Sequence, residues 1–178
     1  MVRTRTAAVL MTAALLTAAC GAQGDGSPGA LGAGPTASAA AATVPDALRF
    51  TARTLDGKDF NGESLAGKHV VFWFWAPWCV DCYDEAPAVM AASATFGDVA
   101  FVGVAGMDTE AAMKEFVQRT HTDTIVQLSD DKGVVWTKLD VSEQSTFVFM
   151  TPAGRTTRTL GPLTTEELTG YVKKLLAG

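Results

Sequence analysis

Cysteine is scarce in this 178-residue chain, with three residues at positions 20, 79 and 82. Three thiols cannot supply the multi-bridge framework that staples a small secreted domain. Histidine is scarcer still, His69 and His121 standing alone and far apart. A closed zinc site needs four ligands, and one close pair of thiols with two scattered imidazoles is a poor supply. Each histidine therefore reads as a surface or core residue, and neither a metal nor a cofactor is expected. Long apolar runs are also missing: the longest near the start, Ala7 to Ala19, has 13 residues, whereas a membrane-spanning helix needs about 20. Basic residues are outnumbered, 14 against 19 acids, for a net charge of −5. That balance disfavours nucleic acid and anionic lipid headgroups as partners. No internal repeat is present.

What the chain does have begins with its first twenty residues. Arg3 and Arg5 precede the apolar run, and "TAAC" ends it in small residues, the order of a secretory signal. Losing those twenty residues takes the net charge from −5 to −7, because both arginines go with them. "LLTAAC" resembles the lipobox of bacterial lipoproteins, in which the cysteine is lipidated and becomes the new N-terminus; Thr17 departs from it, leucine being commoner there. Lipidated Cys20 would anchor the protein to the membrane. Ordinary cleavage nearby, with Cys20 discarded and the protein secreted, is the alternative. Residues 21–45 are almost all Gly, Ala, Ser, Pro and Thr with one charge, too poor in large apolar groups to offset the entropy of ordering. They read as a flexible tether, and the folded domain is expected over residues 46–178.

Turn signals divide that domain into a series. Asp56-Gly57 between two short extended runs predicts a hairpin. "HVVFWFW", 69–75, is apolar without alternation, as expected of a strand covered on both faces. Residues 80–95 read as a helix with Pro87 inside it as a kink. "VAFVGVAG", 99–106, is a second buried strand, and 109–120 a helix capped by Thr109. "DTIVQLS" predicts a strand and "KGVVWTKL" a short helix. "STFVFM" and "RTTRTL", joined through Pro152-Ala-Gly154, predict an antiparallel hairpin. A helix with acids at its start and lysines at its end closes the chain from residue 164. Strands alternating with helices, then a late hairpin and helix, describe an α/β fold with a mixed sheet.

The chemistry concentrates in "WFWAPWCVDCYDEAP", 73–87. A lone C-x-x-C is a redox disulfide, half of a zinc site or an accident of composition. One that follows a buried strand at once and opens a helix is far more specific. Cys79 at the helix N-terminus has unpaired N–H groups and the helix dipole to stabilise its thiolate. That thiolate attacks a disulfide, and Cys82, one turn on, resolves the mixed disulfide. Asp81, between the thiols, opposes the dipole by its charge. Two thiols so close, outside the cytoplasm, are oxidised unless something reduces them.

These residues resemble the thioredoxin-like extracytoplasmic thiol:disulfide oxidoreductases of the TlpA/DsbE-like type, and most of all their actinobacterial secreted and lipoprotein members. The resemblance runs from about Asp46 to Gly178 and is carried by "VVFWFWAPWCVDCYDEAP", "FVGVA" and "QSTFVFM". It implies a thioredoxin fold with an N-terminal β-hairpin extension, Cys79 as nucleophile, Cys82 as resolving thiol and Pro87 as the kink of the active-site helix. Glu85 matches an acid common in this branch. Its two readings are a proton shuttle for Cys82 and a solvated helix charge. Two residues depart from the family. Ser145 stands where a cis-proline faces the disulfide at the peptide-binding edge; a cis bond before serine costs more than one before proline, so that loop's geometry is left open. Asp81 stands where proline or another uncharged residue is common.

The resemblance further implies exchange with thiols or disulfides of exported proteins, a membrane redox partner that recharges the pair, and a monomer. Oxidative folding is the expected direction, with reduction of cytochrome c maturation-type thiols as the alternative. Peroxide reduction is the rival chemistry on the same fold, but Ala76 stands where its P-x-x-x-T-x-x-C pattern has threonine. Phe72, Trp73, Phe74 and Trp75 read as core rather than as a stacking surface, Trp78 as the aromatic at the substrate surface, and Asp84 as solvated. A binding lipoprotein with redundant cysteines is the reading from another class.

Overall fold

His69–Trp75 carries only aliphatic and aromatic side chains after its first residue, so only a strand covered on both faces satisfies it. A computed structural model of the protein, which describes residues 43–178, makes it such a strand. Cys20 and the signal-like leader lie outside the described residues.

Seven strands form one mixed sheet: β1 (Thr51–Thr54), β2 (Asp59–Asn61), β3 (His69–Trp75), β4 (Val99–Ala105), β5 (Val126–Ser129), β6 (Thr146–Met150) and β7 (Thr156–Leu160). Their order is β2-β1-β5-β4-β3-β6-β7. β3 pairs parallel with β4, Trp75 opposite Ala105, and antiparallel with β6, Phe74 opposite Thr146. The helices are α1 (Val80–Thr95), α2 (Glu110–Thr120), α3 (Val134–Lys138) and α4 (Thr165–Ala177). The expected N-terminal hairpin is β1–β2, with Gly57 at φ +85° in its turn. The strand foreseen in "DTIVQLS" pairs only from Val126, because the residues before it complete the turn out of α2.

Period-two alternation along β3 splits the core. Val71, Trp73 and Trp75 face one way, among buried residues of α1, α2 and α4. Val70, Phe72 and Phe74 face the other, among Leu48, Val135, Trp136 and Leu139. The four aromatics are all core, as their position on a covered strand requires. Side-chain caps start the longer helices: Thr109 accepts from Ala112 N, and Thr164 forms a reciprocal capping box with Glu167. His121 ends α2 in a left-handed conformation, and His69 is half-buried at the start of β3.

Parallel β3, β4 and β5 each lead into a helix, so α1, α2 and α3 all begin at one end of the sheet. Leu160, opposite Thr146, brings the start of α4 to that end as well. At the other end Pro45 packs against Gly154 in the β6–β7 turn, where a Cβ on Gly154 would collide with it.

Candidate redox site

The strand-to-helix turn positions the pair. β3 ends at Trp75, and the Cys79 N–H closes a turn onto Ala76 O at 3.1 Å. Cys79 is the N-cap of α1, in extended conformation, and its sulfur accepts from the Cys82 N–H at 3.1 Å. A disulfide joins Cys79 to Cys82, with Cα atoms 5.2 Å apart. Cys79 keeps 6 % exposure and Cys82 none, so an incoming sulfur reaches Cys79 first. Pro87 lies inside α1 and is exposed; lacking an N–H, it leaves the Tyr83 carbonyl without its i+4 donor.

Behind the pair sits Glu85, 1 % exposed. The solvated-charge reading of Glu85 is therefore excluded. Its Oε1 accepts from Trp73 Nε1–H at 2.5 Å and from the Ser145 hydroxyl, and its Oε2 from the Leu163 N–H at 3.3 Å. Burial pushes the Glu85 carboxyl above the usual carboxylate range; the bonds from Ser145, Trp73 and Leu163 oppose that rise, and the charge of Asp81 adds to it. Glu85 lies three residues past Cys82, on the same helix face.

Ser145 is buried, the Gln144–Ser145 peptide is cis, and the Ser145 carbonyl accepts from Gly161 N at 2.9 Å. Gly161 must be glycine for packing reasons: a Cβ there would collide with Glu85 Oε2 and Ser145 Oγ. Asp81 and Asp84 are exposed on α1. Trp78 is 55 % exposed, and its indole N–H donates to Met107 O at 3.2 Å. Met107 and Val80 are exposed too, so the rim beside Cys79 is apolar. Position 76 is a buried alanine and brings no hydroxyl to Cys79.

Sequence reasoning missed Trp73 as a donor to Glu85, and missed Leu163, Gly161 and Met107 altogether. No local pattern announces them, since the partners of Glu85 lie 12, 60 and 78 residues away. It also missed Gln127, whose Oε1 accepts from Trp75 Nε1–H at 3.0 Å while its Nε2 donates to Thr122 O at 2.9 Å. A side chain at Gly103 would occupy the space of that amide. The signal, had it been used, was a glycine inside a buried strand.

A disulfide spanning the first turn of the helix after an interior strand, on a mixed sheet flanked by helices, defines a thioredoxin-fold thiol–disulfide oxidoreductase. Residues 43–160 match the model of the AhpC/TSA family, and the chain belongs to that family. The soluble secreted antigen MPT53 of Mycobacterium tuberculosis is 39 % identical over 138 residues, spanning 76 % of this chain and 79 % of that protein. The thiol-disulfide oxidoreductase ResA of Bacillus cereus is 25 % identical over 132 residues, 73 % of this chain and 76 % of ResA. Among solved structures, M. tuberculosis DsbF, in its mixed oxidized and reduced forms, superposes with a TM-score of 0.72 at 47 % identity, over 75 % of this chain and 99 % of DsbF. A secreted M. tuberculosis disulfide oxidoreductase homologous to Escherichia coli DsbE gives 0.68 at 39 % identity, over 72 % and 97 %. The enzyme class and the fold thus rest on both geometry and kinship.

Proposed function

We propose that this enzyme exchanges disulfides with exported proteins outside the membrane, working toward oxidative folding. The observation that carries the reading is the asymmetry of the pair: Cys79 caps α1 and keeps 6 % exposure, while Cys82 has none. A substrate thiolate attacks Cys79 Sγ, the Cys79–Cys82 bond breaks, and Cys82 leaves as a thiolate that takes its proton from Glu85. A second substrate thiolate then attacks the substrate sulfur of the mixed disulfide, forming the substrate disulfide and releasing Cys79. In reverse, Glu85 takes the Cys82 proton and the Cys82 thiolate resolves the mixed disulfide. Trp78, with Met107 and Val80, forms the surface that meets the substrate chain. A membrane redox partner recharges the pair.

The reduction potential of the Cys79–Cys82 couple tests the direction. A value toward about −120 mV supports oxidation, whereas one near thioredoxin's, about −270 mV, would make the enzyme a reductant. A dithiol-substrate assay with Cys79→Ser separates enzyme from binder: activity in the parent and none in the variant supports exchange.

Cys20 is the lipid anchor in this reading. Support comes from the lipobox-like "LLTAAC" and from the entry of the chain into the domain at the end of the sheet away from Cys79. Among the described residues no helix is long and apolar enough to cross a membrane. Cys20→Ala should release the protein from the membrane fraction or block its processing. Wild-type protein found wholly in the culture fluid, cleaved elsewhere, would favour plain secretion, in keeping with the name of the MPT53 relative.

A further inference from the structure

The three groups that hold the Glu85 carboxyl are not equivalent. Trp73 Nε1–H and the Leu163 N–H can only donate, whereas the Ser145 hydroxyl can donate or accept. An ionised Glu85 suits all three as donors. A protonated Glu85 does not: its new O–H needs an acceptor, and both N–H groups refuse that role. With Glu85 1 % exposed, bulk water does not reach it. Of these three groups only Ser145 Oγ can accept, by turning its own proton off Oε1. A buried O–H without a partner is costly, enough to hinder every cycle in which Glu85 takes up a proton.

We propose that Ser145 is a positioning residue for the exchange, a reversible hydrogen-bond partner that lets buried Glu85 take up and return the Cys82 proton. The proposal rests on the reading that Glu85 trades a proton with Cys82. In the resolving step, Cys82–SH gives its proton to the Glu85 carboxylate and Ser145 changes from donor to acceptor. The Cys82 thiolate then bonds to Cys79 Sγ, the bond from Cys79 to the substrate sulfur breaks, and the substrate leaves as a thiolate. Proline, alanine or glycine at residue 145 could play neither part.

The surroundings make the effect readable. On α1 the titratable neighbours of Glu85 are Asp81 and, once reduced, Cys82. β3, β6 and the segment before α4 face it with the neutral donors already named. Removing the hydroxyl takes a charge-assisted bond from the carboxylate and a neutral bond from the acid. The first is the stronger, so the carboxyl should titrate at higher pH.

The test uses the reduced full domain and 5,5′-dithiobis(2-nitrobenzoate). Cys79 attacks the reagent, and Cys82 then expels the second nitrothiolate in a step independent of reagent concentration. The pH dependence of that step reports the Cys82–Glu85 pair as a unit. Ser145→Ala should move its midpoint upward by about one unit. Ser145→Gly, which adds no methyl group, should do the same. In the oxidised protein, where no thiol titrates, the infrared carbonyl band of protonated Glu85 should persist to higher pH in both variants. Glu85→Gln should leave a profile that follows the ionisation of Cys82 alone and should erase the band, and Ser145→Ala should add nothing in that background. A profile changed by Glu85→Gln but not shifted by either residue-145 variant overturns the Ser145 proposal alone. A uniform slowing at all pH values that persists in the Glu85→Gln background also overturns it, marking a packing role. A parent-like profile in Glu85→Gln overturns the Glu85 reading itself, and this proposal with it.

Discussion

The two faces of β3 differ by one atom type that matters. On the face toward α1, α2 and α4, Trp73 and Trp75 bring indole N–H groups, and each meets a buried acceptor, Glu85 and Gln127. On the opposite face Phe72 and Phe74 bring none, and the Trp136 N–H that packs there finds no partner among the described residues. Both faces are stacked with aromatics, Trp75 on Phe116 at 4.1 Å and Phe74 edge-on to Trp136 at 5.3 Å. Close packing alone does not distinguish them. What distinguishes the redox face is that its polar groups are bonded, which lets a carboxyl stay buried beside the disulfide.

The sharpest break in that comparison is at the pair itself. Cys79→Ser should abolish exchange, because the sealed Cys82 has no exposure with which to meet a substrate disulfide. Cys82→Ser should instead accumulate mixed disulfides on Cys79, visible as a mass increase that dithiothreitol reverses. Turnover surviving in Cys79→Ser would reverse the assignment of the two sulfurs.

Next in size is a contrast across the sheet. Phe74→Ala removes a fully buried ring from the hydrocarbon face and should cost about 3–5 kcal/mol in denaturant unfolding, leaving the Glu85 titration in place. Trp73→Phe keeps most of the ring's packing but removes a donor from Glu85. It should cost less stability and yet move the carboxyl's infrared titration upward. If both variants moved it, the two faces would be coupled through the strand rather than insulated by it.

The same contrast explains what was legible beforehand. Phe72, Phe74 and Val70 could be placed from pattern, since an apolar run of six with no alternation has one use. Cys79 and Cys82 were legible because helix-start chemistry is local, spanning four residues. Asp56-Gly57 and Thr109 were legible for the same reason, as turn and cap. The Glu85 site was not. Whether Glu85 faces water or core depends on Ser145 and Leu163, which reach it only after the sheet has closed. Ser145 drew notice as a departure from the family, but the hydroxyl's partner was beyond the reach of spacing.

A smaller effect separates ionisation from packing at that site. Burial raises the Glu85 carboxyl in the folded state. A raised carboxyl contributes stability that is fully present below its unfolded value, about 4.3. That contribution is lost as pH climbs from there through the folded value. Each unit of rise corresponds to about 1.4 kcal/mol. Glu85→Gln cannot titrate, so the melting temperature of the oxidised parent should fall relative to the variant as pH increases through this range. A constant difference between them would mean that the carboxyl titrates alike in both states.

The smallest expected effect is at exposed Asp81, and it asks whether a charge in water can do what the buried one does. Cys79 caps α1, where the dipole and the Cys82 N–H favour its thiolate. Asp81 sits in the first turn of the same helix, and its carboxylate opposes that preference. Two unit charges about 6 Å apart at an effective dielectric of about 20–50 interact by roughly 1–3 kcal/mol, and exposure reduces this further. Asp81→Asn should therefore lower the pKa of the Cys79 thiol by about one unit or less, read from thiolate absorbance. A more stable thiolate means a more stable reduced form, so the potential should rise by up to about 30 mV. Both shifts should shrink with added salt, as expected for an exposed charge. Asp81 also adds to the rise of the Glu85 carboxyl, so the measurement belongs in the Glu85→Gln background, where only the effect on Cys79 remains. A shift that vanished there would mean that Asp81 acts through Glu85. One that survived salt would require a closer contact with Cys79 in the reduced protein than a solvated side chain makes.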